Sequence, residues 1–178
     1  MGYTRPKPLR GKHDFGDFCC GEADLDEWLR KYSRHAEHAG SARTFVSCLS
    51  GVVVGYYATA IGQVAPDDAT ERLLQGQAAG RPIPVIVLAR LAVDQRHQRK
   101  GLGASLLHDA LLTCVVIAER VGVAAVVAHT NDGAAGFYDN YGFEESPTDP
   151  LHRILLMKDM RVLLKEAGID PAPAGPSG

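Results

Sequence analysis

The longest regular run of apolar and polar positions lies between residues 84 and 122. From Val85 to Val93 nearly every residue is apolar and branched or small, which suits a strand buried on both faces. After Asp94 the chain turns polar and basic through Gln95, Arg96, His97, Gln98, Arg99 and Lys100. Gly101 and Gly103 then open a predicted helix over Gly101–Val121, with Leu102, Leu106, Leu107, Ala110, Leu111, Cys114, Ala118 and Val121 on its apolar stripe and Gly122 as its stop. Val123–His129 reads as another buried strand. Strand, helix and strand make a βαβ unit with parallel strands. Ligands collect at the carboxyl ends of such strands, so the basic glycine loop and Thr130-Asn131 fall on one edge of the sheet.

The remaining segments follow the same two periods. Asp24–His38 predicts a helix: Leu25, Trp28, Leu29, Tyr32 and Ala36 share one face, acids crowd the first turn and Gly40 stops it. Arg30, Lys31, Arg34 and His38 lie off that stripe, facing solvent or a partner. Thr44–Leu49 and Val52–Ile61 are β-prone runs joined at Ser50-Gly51, a hairpin. Pro66 to Thr70 predicts a turn and a cap for a short helix over Glu71–Ala78. Asn131 or Asp132 caps a helix over Gly133–Asn140 that Gly142 ends, a strand follows over His152–Lys158 and a helix over Asp159–Ala167. Residues 1–20 mix prolines, glycines and basic residues with a poorly defined first strand. One domain over residues 1–168 and a flexible Pro/Gly tail over 169–178 are expected.

Composition narrows the classes. With 46% hydrophobic and 22% charged residues this is an ordinary globular chain. No apolar run reaches membrane-spanning length and the amino terminus lacks a signal peptide's apolar core, so the expectation is a cytoplasmic protein without a membrane role. Cys19, Cys20, Cys48 and Cys114 form no C-x-x-C pair and the histidines no ligand spacing beyond His35/His38; buried free thiols and no metal are expected. The net charge of −2 hides an asymmetry. Residues 28–43 carry Arg30, Lys31, Arg34 and Arg43 against Glu37, residues 90–100 carry Arg90, Arg96, Arg99 and Lys100 against Asp94, and the chain beyond Asp132 is acidic. A basic face is one reading and a solvated surface the other.

The loop before the predicted helix suits an anion. A helix's first-turn N–H groups lack intrahelical partners, the macrodipole is positive there, glycines let backbone approach a ligand, and Arg99 and Lys100 add charge. The dinucleotide fingerprint would need a third glycine where Leu106 stands, and the phosphate-loop pattern is absent. What remains, Gln98-Arg-Lys-Gly101-Leu-Gly103-Ala104, resembles the Q/R-x-x-G-x-G/A signature of the GNAT superfamily of acetyltransferases. Ala135-Gly-Phe137-Tyr138-Asp-Asn-Tyr-Gly142-Phe143 is similar to the helix after that family's fifth strand, where F-Y-x-x-x-G-F is common. Both stand in the correct order, separated by a helix and a strand.

The resemblance implies a mixed α/β (α+β) fold: a central, largely antiparallel sheet with a parallel βαβ acetyl-CoA-binding unit and flanking helices. It implies an acetyl-CoA-dependent N-acetyltransferase, in which a neutral amine attacks the thioester and the departing thiolate takes a proton. Tyr138 would supply that proton. Gln98, Arg99, Lys100, Gly101, Leu102, Gly103 and Ala104 would hold the pyrophosphate, a backbone N–H near Leu91, Ala92 and Val93 the oxyanion, and Phe137 would line the cofactor site. Asn131 would touch the cofactor or only cap the helix.

A narrower resemblance rests on Cys20-Gly-Glu-Ala-Asp-Leu25-Asp-Glu-Trp28-Leu29, Arg43-Thr-Phe45-Val46 and Pro84 to Asp94, which look like the TacT-type acetyltransferase toxins. It implies acetylation of the α-amino group of aminoacyl-tRNA, a block to translation, a ribbon-helix-helix antitoxin as partner and a homodimer. Arg30, Lys31, Arg34, Arg90 and Arg96 would then face RNA phosphates. The chain departs from the toxins' Q-G-x-G-x-G in carrying Arg99 at the second position, and Gly136 lies inside the helix of Tyr138. The alternatives are a GNAT enzyme for a small amine, an antibiotic or a protein N-terminus, whose cationic acceptor would recruit Asp94, Asp132 or Asp139, and a non-catalytic acyl-CoA-binding module.

Overall fold

A computed structural model of the chain describes residues 2–169. The expected tail, from residue 170 onward, lies outside the described residues. Seven strands form one sheet in the order β1-β2-β3-β4-β5-β7-β6, antiparallel except for the β4–β5 pair. The chain groups into two compact units: residues up to Ala60 with Leu88–Ala110, and Ile61–Val87 with the chain from Leu111 onward. Among the described residues no helix is long and apolar enough to cross a membrane.

In the first unit a two-residue strand, β1 (Lys7–Pro8), pairs antiparallel with β2 (Arg43–Leu49). β2 turns into β3 (Val52–Val64) through Ser50 at φ 50° and Gly51 at φ 85°. Two central residues in the left-handed region match the right-handed twist of the strands, as expected of a two-residue hairpin. Phe18 and Trp28 pack their rings on Tyr56, and Leu9, Leu29 and Val46 complete this core.

The predicted helix over Asp24–His38 is present but not regular. It runs as α1 (Ala23–Glu27), a π-helical turn (Trp28–Tyr32) and α2 (Ser33–Ala39), ending at Gly40 with φ 74°. The π turn adds a residue and rotates the next turn away from the expected stripe. Tyr32, placed on the buried face by a 3.6 period, is 52% exposed, while Ser33 is fully buried and donates its hydroxyl to the Leu29 carbonyl.

In the second unit a 3₁₀ turn (Pro66–Asp68) leads to α3 (Glu71–Leu74), whose first turn is capped by the Thr70 hydroxyl accepting from Leu73 N–H. This helix is shorter than expected because Gln75 turns extended and Gly76 takes φ 80°. β4 (Ile83–Val93) is the strand the apolar run predicts, buried at Val85, Ile86, Leu88, Ala92 and Val93 but only half-buried at Ala89, Arg90 and Leu91. α4 (Leu102–Ala118) stops before the predicted Val121: Ile117 C=O accepts from both Arg120 and Val121 N–H, and Val121 is exposed.

β5 (Ala125–His129) pairs antiparallel with β7 (His152–Leu156), and β6 (Glu144–Glu145), which the residue pattern does not predict, adds to the outer side of β7. Between β5 and β6 lies α5 (Ala135–Asp139), and α6 (Met157–Glu166) begins two residues earlier than expected, with Met157 N–H bonded to Ala124 C=O. Val85, Val127, Ile154 and Leu73 sit in this unit's core.

Candidate active site

The end of β4 and the glycine loop are built by the first unit. Asp94, buried at the end of the strand, accepts hydrogen bonds from the backbone of Cys19 and Arg96 and from the Arg96 guanidinium. That guanidinium holds the Asp94 carboxyl far below the usual carboxylate range, against the opposing effect of burial. Arg96 also reaches Asp17 at 2.9 Å.

The Gln98 amide donates to the carbonyls of Cys20 and Val93, both at 2.9 Å, and so ties the loop to the strand end. Arg99 sits at φ 58° and Gly101 at φ 82°. The left-handed turn at 99 is a conformation that only glycine takes without cost, so Arg99 bears strain there. Arg99 and Lys100 are exposed, a side chain at Gly101 would meet nothing within 4 Å, and no acid occupies the first turn of α4. An open backbone, two cations and an uncompensated helix start fit the anionic pyrophosphate of acetyl-CoA.

The tyrosine motif lies in the second unit. Tyr138 on α5 is 3% exposed, with its ring edge-on to Phe137 and Phe143. Burial raises the phenol above its ordinary value, so it stays protonated. Neither Asn131 nor Asp132 caps this helix by its side chain: Ala134 occupies the cap position, and it is the Asn131 backbone carbonyl that accepts from Ala134 N–H.

Residue patterns miss the group that fixes α5. Arg153 on β7 is 6% exposed; its guanidinium reaches Asp139 at 2.8 Å and Glu145 at 3.4 Å and bonds the Pro150 carbonyl. An arginine next to the apolar run of Ile154, Leu155 and Leu156 is its one signal in the sequence. Of the three acids that could recruit a cationic acceptor, Asp94 and Asp139 are therefore bound to arginines, while Asp132 is exposed.

The other predicted residues have definite places. Arg30 donates to the Phe18 carbonyl, Lys31 pairs with Glu27 at 2.7 Å, Arg34 lies over the Phe15 ring at 4.1 Å and Arg90 over the Trp28 ring at 4.3 Å. Cys20, Cys48 and Cys114 are buried thiols as expected, but Cys19 is exposed. Burial pushes the Cys20 and Cys114 thiols up to about 12, which leaves them unreactive. Among the described residues no three potential ligands cluster around a metal position.

The model of the acetyltransferase (GNAT) domain matches residues 41–145, and the chain belongs to this family, whose members are acetyl-CoA-dependent acetyltransferases. Within it the chain is 45% identical over 164 residues, 92% of its length and 98% of the relative's, to a tRNA-acetylating toxin of Mycobacterium tuberculosis (strain ATCC 25618 / H37Rv). Its fold matches AtaT complexed with acetyl-methionyl-tRNAfMet, with a TM-score of 0.83 at 22% identity over 92% of this chain and 99% of that one. It also matches a tyrosine-to-phenylalanine mutant of the AtaT toxin bound to the C-terminus of the antitoxin AtaR and acetyl-CoA, with a TM-score of 0.77 at 22% identity over 93% and 99%.

Proposed function

We propose that the chain transfers acetyl from acetyl-CoA to the α-amino group of an aminoacyl-tRNA, as the translation-blocking toxin of a toxin–antitoxin pair. The observation that carries this reading is 45% identity along nearly the whole of a relative named for tRNA acetylation. In it Arg99, Lys100 and the backbone of Gly101–Ala104 hold the pyrophosphate, with Gln98 fixing the loop. Backbone N–H groups near Leu91–Val93 receive the oxyanion, Asn131 and Phe137 border the cofactor, and Tyr138 gives the departing thiolate its proton.

Arg30, Lys31, Arg34, Arg90 and Arg96 are assigned to the RNA face. A ribbon-helix-helix antitoxin as inhibitor, a homodimer, a cytoplasmic location and one catalytic domain over residues 1–168 belong to the same reading. A small cationic amine is the weaker acceptor, because Asp94 and Asp139 are already paired with arginines.

Purified protein incubated with labelled acetyl-CoA and total bacterial tRNA tests the acceptor. Label is expected in precipitated RNA from the charged sample and not from the deacylated one. Label in neither, with acetyl-CoA still bound, rejects the tRNA acceptor.

A further inference from the structure

All five cations assigned to the RNA face already serve the protein itself: Arg30 and Arg34 hold loop carbonyls, Lys31 and Arg96 are ion-paired, and Arg90 covers a tryptophan. A second set stands apart from them. Arg5, Lys7, Arg10 and Lys12 fall within eight residues, with no acid before Asp14. All four are exposed, and among the described residues none is ion-paired with a carboxylate.

The segment is fixed along the sheet edge. Thr4 N–H donates to the Cys48 carbonyl and Thr4 Oγ1 accepts from Cys48 N–H, both at 2.9 Å; β1 pairs Lys7 with Val46; Leu9 N–H donates to the Thr44 carbonyl at 2.8 Å and its side chain is buried. Pro6 and Pro8 restrict the backbone between these anchors. Arg5 and Lys7 are alternate residues of the extended stretch, about 7 Å apart, and Arg10 and Lys12 follow in the turn that His13 N–H closes on the Arg10 carbonyl. Several cations without carboxylate partners, held on one anchored segment, suit a polyanion rather than a single phosphate.

Arg34 joins these cations from α2, donating to the His13 carbonyl at 2.6 Å, while Arg10 N–H donates to His13 Nδ1 at 2.9 Å. His13 is held below its ordinary value by burial first and then by Lys12, with Arg10 and Arg34 adding smaller charges in the same direction and the Arg10 N–H bond opposing them.

We propose that this amino-terminal strap, Arg5, Lys7, Arg10 and Lys12 with Arg34 beside it, contacts the phosphate backbone of the RNA substrate. The inference rests on the tRNA reading above. Such contacts release counterions, so affinity falls with salt in proportion to the phosphates neutralised, whatever the tRNA sequence or charging state.

The test is the affinity of the full chain for deacylated total tRNA at a series of salt concentrations from about 50 to 200 mM. Replacing Arg5, Lys7, Arg10 and Lys12 together by Gln should make the plot of log affinity against log salt shallower by about 3, since each phosphate contact contributes roughly 0.7–0.9. At the low-salt end binding should weaken more than about tenfold. Acetyl-CoA binding by the same variant reports that it is folded. Should the fourfold variant not fold, the single variants Lys12→Gln and Arg5→Gln carry the test, each with a slope lower by just under one.

A folded variant with the wild-type slope overturns the strap assignment while leaving the tRNA reading intact. The same slope with lost association to an acidic protein also overturns it, in favour of a protein partner. Wild-type protein that binds no tRNA overturns both.

Discussion

Arg99 is the residue whose conformation and chemistry pull in opposite directions. A non-glycine residue at φ 58° costs roughly 1–2 kcal/mol, and here the side chain in the glycine loop is a cation. Arg99→Gly should therefore raise stability to urea by about 1 kcal/mol. Acetyl-CoA affinity should weaken by up to about fivefold, the size expected of an exposed charge pair. Added stability with unchanged affinity would leave Arg99 without a part in cofactor binding.

Tyr138 gives a prediction in pH. Because burial raises its phenol, it remains protonated across the assayable range. The transfer rate should rise as the acceptor amine loses its proton, near the ordinary α-amino value of about 7.7–8.0, and show no alkaline decline below about pH 10. Tyr138→Phe should lower kcat by about 100-fold or more while acetyl-CoA binding is retained. An alkaline limb near pH 8 that Tyr138→Phe abolishes would contradict the burial argument. A raised phenol also binds its proton more tightly folded than unfolded, so stability present below about pH 10 declines above it.

At the scale of elements, the π turn decides which side chains of the first long helix are structural. Tyr32→Ala should change stability by less than about 0.5 kcal/mol, whereas Ser33→Leu should cost about 1–3 kcal/mol by overfilling a closed site. A regular helix in the predicted register would reverse that order, and urea denaturation of the two variants distinguishes them. The hairpin, β4, the start of α4 and the stop at Gly40 were legible because each depends on a few adjacent residues: a left-handed turn, an apolar run, a glycine after a periodic stripe. The π insertion, the early end of α4 and β6 were not, because each is set by contacts that the local pattern does not contain. Backbone hydrogen bonds between β6 and β7 outweigh the poor strand propensity of two glutamates.

For the whole molecule, the family assignment predicts that acetyl-CoA stabilises the chain by mass action. At 100 times its Kd the gain is about 2.7 kcal/mol. For a domain of this size that raises Tm by about 5–10 °C, which a thermal melt with and without the cofactor checks. No shift at saturating cofactor would mean that the glycine loop does not bind it.

The sequence by itself determined the periodic elements, the hairpin turn, the anion-seeking loop and the order of the two motifs, because these are local consequences of side-chain shape, backbone freedom and charge. Only the tertiary structure decided which polar groups are engaged. Arg96 meets Asp17 across 79 residues, Arg153 meets Asp139 across 14, and Gln98 spends its amide on carbonyls of Cys20 and Val93. These partners are chosen by strand order and burial, since a charge or amide removed from water must find its complement wherever the fold brings one.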